Sequence, residues 1–122
     1  MTTEDVADLQ ALVDSSLPES YLDAIQSDDP RLDGLFYDRD QIIEANKRVR
    51  TECWRGEPLD RFFFVFGQDD EGRVLFLDLD LPGGAVMRQD ESSPDPKVRA
   101  RMLSPTFAQW EKLAEQVAAQ NP

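Results

Sequence analysis

Two aspartates two residues apart, Asp78 and Asp80, and the run Asp69-Asp70-Glu71 come nearest to chemistry by type and spacing. If residues 73–81 form a strand, Asp78 and Asp80 project from one face, where paired carboxylates can act as acid and base. The alternative is a solvated or backbone-bonded pair at a strand end, and no other polar residue type joins the two into a catalytic set. The Asp69–Gly72 run invites a calcium loop. Placing Gly72 at the sixth position of an EF-hand puts Gly67 first, where Asp is needed, and Asp78 last, where Glu is usual. The run also lies between apolar strands and not between helices. That excludes the EF-hand and leaves only weak cation binding.

Other routes to catalysis are closed by composition. The chain has no histidine, the commonest general base and transition-metal ligand. Its single cysteine, Cys53, has no histidine to activate it and reads as a small apolar residue. Neither a Gly-rich phosphate loop nor a Gly-x-Ser-x-Gly elbow occurs. The expectation is a protein that is not an enzyme and holds no cofactor or metal.

The elements that position these acids follow from periodicity. Residues 61–66, Arg-Phe-Phe-Phe-Val-Phe, read as a strand apolar on both faces and therefore central in a sheet. Gln68–Gly72 turns the chain, and its charges, with Arg61, flank an aggregation-prone strand. On the next strand Leu75, Leu77, Leu79 and Leu81 share one face; Val74, Phe76, Asp78 and Asp80 share the other. Pro82-Gly83-Gly84 turns into a third strand at 85–87, and the polar, proline-containing residues 90–99 read as an exposed loop.

Helices flank this meander. Val6, Leu9, Leu12 and Val13 predict a helix over 4–14. Ser16-Leu17-Pro18-Glu19 fits a capping box for a second, with Tyr21, Leu22 and Ile25 inward. Leu35-Phe36-Tyr37 is a short strand candidate. Asp38 then caps a helix with Ile42, Ile43, Asn46, Val49 and Cys53 on one face. Lys47, Arg48 and Arg50 fall near its C-terminal end, where cations suit the dipole. Ser104-Pro105 opens a last helix with the stripe Phe107, Trp110, Leu113, Ala114 and Val117. The sum is α+β: an antiparallel meander of three to five strands with N-terminal helices and a C-terminal helix, in a single domain over 1–122.

The net charge of −12 is concentrated: residues 1–30 carry eight acids and no base, and residues 62–96 carry eight acids and two bases. Such a field repels nucleic acid and anionic membrane and steers basic partners inward. A soluble acidic surface without a partner is the plainer alternative. The N-terminus lacks the basic and apolar regions of a secretory signal, and no apolar run approaches the length of a membrane span. With one cysteine, these features point to the cytoplasm.

Several segments together resemble a known family. Leu17-Pro18-Glu19-Ser20-Tyr21-Leu22 looks like its N-terminal Leu-Pro-x-x-Tyr signature, and Phe36 through Asn46 like its strand-then-helix segment. Phe64–Gly67, Asp70–Gly72, Phe76–Leu79 and Gly84–Val86 look like its central hairpin and return strand. Ser104–Phe107 with Trp110 looks like its terminal helix. Over roughly 17–117 the chain is similar to the SUKH superfamily of Smi–Knr-like domains. It departs where the family often has Asn-Gly after the N-terminal helix; Ser27-Asp28-Asp29-Pro30 stands there.

The resemblance implies a SUKH-like α+β domain without catalysis. Bacterial members are mostly immunity proteins that bind and neutralise a cognate toxin, often a nuclease; fungal members are regulatory scaffolds. Because nuclease clefts tend to be basic, an acidic plug is the expected device. Asp69, Asp70 and Glu71 are the first candidates for toxin contact, with Asp28, Asp29, Asp78 and Asp80 secondary. Tyr37 and Trp54 are either interface anchors or core residues. The alternative function is a regulatory or scaffold domain with a housekeeping partner.

Overall fold

The apolar runs on either side of the acidic turn pair with each other and set the frame for the rest. The computed structural model describes residues 2–13, 16–26, 34–51, 63–89 and 100–120. Its elements are α1 (Thr3–Gln10), α2 (Glu19–Gln26), α3 (Arg39–Thr51), β1 (Phe63–Gln68), β2 (Val74–Asp78), β3 (Ala85–Gln89), β4 (Ala100–Ser104) and α4 (Phe107–Gln120). The strands form one antiparallel sheet in the order β1-β2-β3-β4, an α+β meander flanked by helices, as expected from the pattern.

β1 is buried on both faces, but it lies at the end of the sheet order and not in its centre. Two features cover it. On one face Phe64 and Phe66 enter the main core with Leu9, Tyr21, Ile25 and Phe107. On the other, Val65 and Phe76 pack with Ala45 of α3 and with Met87. Along its outer edge a single bridge joins Gly67 to Leu35, supported by Phe36 N–H donating to the Phe66 carbonyl at 2.9 Å. The 35–37 segment is therefore a one-bridge flap over the β1 edge and not a full strand. Phe66 is the extra residue of a bulge between Val65 and Gly67, and its ring, on the same face as Phe64, packs against Tyr21, Phe107 and Trp110.

Helix starts are shifted from the sequence reading. α1 is capped by Thr2, whose Oγ1 accepts from Asp5 N–H while Asp5 accepts from Thr2 N–H. Leu12 and Val13 lie in the turn beyond it. The Pro18 carbonyl accepts the first α2 bond, from Leu22, so Pro18 is the cap and Ser16 lies outside. Asp38 caps α3 as expected, accepting from Asp40 N–H at 2.8 Å. Thr106 caps α4 through Gln109 N–H at 3.2 Å. Ser104 instead pairs with Val86 as the last residue of β4, and its hydroxyl donates to the Thr106 carbonyl. The stripe on α4 is covered along one side: Phe107 is buried and Trp110 and Ala114 pack against the main core, whereas Leu113 is 53% and Val117 57% exposed.

Tyr21 sits at the centre of the aromatic core, its ring 5.5 Å from Phe64 and 5.3 Å from Phe107. Its buried hydroxyl has no hydrogen-bond partner among the described residues, and burial pushes the phenol well above its usual range. An unpaired buried hydroxyl opposes folding by about 1–3 kcal/mol. Tyr21→Phe keeps the ring and removes that cost, so its urea midpoint is expected to rise by the equivalent of about 1 kcal/mol. A lowered midpoint would contradict this account of the core.

Candidate binding surface

Each acidic turn is built by its own backbone. In the β1–β2 turn, Asp69 Oδ1 accepts from Glu71 N–H at 3.0 Å and Arg73 N–H at 2.8 Å. Its Oδ2 accepts from Arg73 Nε at 2.7 Å. Gly72, at φ 79°, supplies the left-handed residue that closes the turn. Asp69 is thus committed to holding the turn together, which demotes it from the first rank of contact residues. Asp70 and Glu71 remain exposed, with Glu71 also 3.4 Å from Arg73.

This bonding has a pH signature. Partial burial raises the Asp69 carboxyl, but bonds from Arg73 and Glu71 outweigh it and hold the pKa below its usual 3.8. A depressed carboxyl stabilises the fold above its unfolded value, and that contribution is lost as pH falls through the folded value. Asp69→Ala is therefore expected to destabilise the protein at neutral pH and to flatten the acid limb of its stability profile. Equal slopes for the two proteins below about pH 4 would contradict this.

The second acidic turn corrects the paired-carboxylate reading. β2 ends at Asp78, and the chain turns there. Asp80 N–H donates to Asp78 Oδ1 at 3.1 Å, and Leu81 N–H faces the Asp78 carbonyl at 3.4 Å. The two carboxylates are neighbours in an Asx-type turn and not a pair on one strand face. Burial, then the nearby Asp80 charge, raises the Asp78 carboxyl against the lowering bond from Asp80 N–H. Asp80 and the 40% exposed Leu81 edge a cleft of about 370 Å³ with Ser16 and Pro18.

The predicted contact acids do not form one patch. The two turns lie at opposite ends of β2, whose five residues separate them by roughly 13 Å at ~3.3 Å per step. Asp28 and Asp29 lie outside the described residues, as do Cys53 and Trp54. Tyr37 is half-buried and packs against the main core.

Two arginines are taken up internally. Arg39 reaches from α3 to Asp8 at 2.8 Å and to Asp40 at 2.6 Å, with Asp5 at 3.6 Å. Arg73 is held by Asp69 and Glu71.

Sequence reasoning missed a groove of about 240 Å³ between α4 and the β1–β2 turn. Leu75, Leu103, Trp110 and Val117 line it, with Asp69, Asp70 and Arg88 at its margin. Leu103 is the extra residue of a bulge between Val86 and Met87 of β3 and their β4 partners. The signal available in the sequence was a helical stripe wide enough to leave one flank, Leu113 and Val117, outside the core.

Among the described residues, no group of three or more His, Cys, Asp or Glu could hold a metal ion. No helix among them is long and apolar enough to cross a membrane. No family model, curated protein or solved structure matches this chain.

Proposed function

We propose that this protein is a cytoplasmic immunity protein of the SUKH-like type, which binds a cognate toxin with a basic surface and neutralises it by direct contact. It is not an enzyme and takes no cofactor, nucleic acid or membrane as partner. The observation that carries this reading is the imbalance of presented charge. The net charge is −12, and Arg39 and Arg73 pair with acids of this same chain, while Asp70 and Asp80 stand exposed on turns. A surface of this kind speeds association with a cationic cleft and rejects polyanions.

A salt series with the double variant Asp78→Asn, Asp80→Asn tests the reading. The change at position 78 is not a folding lesion, because an amide oxygen there can still accept the N–H of residue 80. Loss of the raised Asp78 carboxyl leaves stability equal or higher at neutral pH. Binding to the product of the adjacent gene is expected to weaken by roughly threefold to tenfold at low salt, and the difference should vanish at high salt. Wild-type binding that is unchanged between low and high ionic strength would show that these carboxylates do not carry recognition.

A further inference from the structure

One flank of α4, beside the core-packed Ala114, is apolar surface without cover among the described residues. Leu113 and Val117 are one helical turn apart and more than half exposed. Val117 continues inward to Trp110, Leu103 and Leu75, so an apolar path runs from the surface to the main core. Its margin on the hairpin side is acidic. Asp69 is neutralised by Arg73, but Asp70 stands exposed at the tip of the turn. The Arg88 guanidinium, whose Nε is buried without a hydrogen-bond partner among the described residues, stands at the same groove.

Charge decides between occupants. A second copy would bring another −12 against the first and set acidic turns near one another. A cationic partner gains from the field that a second copy must overcome. We propose that this groove docks a partner segment that presents a large apolar side chain beside a lysine or arginine. The apolar side chain covers Val117 and Leu113 and enters toward Trp110; the cation meets Asp70; a main-chain carbonyl of the segment accepts from Arg88. The inference rests on the reading of this chain as a binding protein and adds the face on which it binds.

Three synthetic helical peptides provide the test by titration calorimetry with the full chain. One has leucines on one face and lysines on the other, one carries Glu in place of Lys, and one carries Ser in place of Leu. The Leu/Lys peptide is expected to bind about tenfold or more tightly than either control. Val117→Asp, at an exposed position, should retain the wild-type melting temperature and lose about tenfold in affinity for it. That variant adds negative charge, so attraction by charge alone would strengthen. Asp70→Asn should weaken binding at low salt only. Affinity of Val117→Asp equal to or above wild type overturns the proposal, as does equal binding of the Glu peptide. Sedimentation of the wild type as a dimer that Val117→Asp dissociates overturns it in favour of a second copy. A Val117→Asp chain that still protects cells fully against the toxin overturns this groove as the contact face and leaves the immunity reading standing. Failure of the adjacent gene product to bind removes the immunity reading and leaves the peptide result to decide the groove.

Discussion

Replacement of Asn46 by leucine is expected to destabilise the protein by about 4 kcal/mol, from ~1–3 kcal/mol for each buried backbone group left unpaired. Asn46 is fully buried on α3, facing the outer edge of β1. Its Oδ1 accepts from Val65 N–H at 2.8 Å, and its Nδ2 donates to the Val65 and Ile42 carbonyls at 2.9 Å each. One amide side chain therefore does for Val65 what a neighbouring strand would do. Leucine has the right volume and no polar atom, so it leaves the Val65 N–H and C=O without these partners. The variant Asn46→Asp keeps the acceptor and loses the donor. Burial would raise the folded pKa of the new carboxyl above its unfolded value, so protonation favours the fold. The stability of this variant should accordingly recover as pH falls through the folded pKa, where the acid regains an O–H to donate. Urea titrations across pH check both statements. A leucine variant with the wild-type midpoint would mean that Asn46 is not what closes the β1 edge.

The same edge predicts the second large effect. A Cβ added at Gly67 falls on the Gly34 carbonyl oxygen, 2.9 Å from the Gly34 carbonyl carbon and 3.3 Å from Leu35 Cα. Every one of these atoms is backbone, so no rotamer change relieves the contact. Gly67→Ala should therefore lift residues 34–36 away from β1. The loss includes the Phe36 N–H to Phe66 bond and the Gln68 N–H to Gly34 bond, each 2.9 Å, together with the burial of Leu35. At ~1 kcal/mol for each of the two bonds and ~1.5–3 for the leucine, the expected cost is about 3.5–5 kcal/mol. Hydrogen exchange locates it: the Phe36 and Gln68 amides should lose protection first. Retention of protection at both positions would contradict the flap.

Particular residues show why some of this was legible in the sequence and some was not. The leucine alternation at 75 and 77 reports the face of β2 that enters the main core directly, because side-chain period sorts the two faces, with Phe76 buried on the other. Asp38 likewise marks its helix start, since a cap is a local bond. β1 misled because a strand covered by α3 on one face and the core on the other reads like a central one, wherever it lies in the sheet. β4 was missed as a strand: Arg101 and Met102 are exposed and only Leu103 points into the groove, so no alternation stands out. The pairing of Ser104 with Val86 is a long-range fact that overrode a good local helix-start signal.

The candidate surface divides in the same way. Composition shows that acids are in excess and roughly which segments hold them. It cannot show that Asp69 is bound up by its own turn, because that depends on three bonds closing around one carboxylate. Nor does it show that Asp80 turns away from the strand after Asp78. Leu113 and Val117 read in the sequence as part of an ordinary core stripe, and only the packing of Trp110 and Ala114 shows which flank of α4 is left uncovered.

Co-expression of this protein with the product of the adjacent gene, scored by pull-down and by survival of the producing cell, tests the central claim most directly. A complex that forms, weakens with added salt and restores growth is the predicted result; a chain that neither binds that product nor protects the cell contradicts the immunity reading.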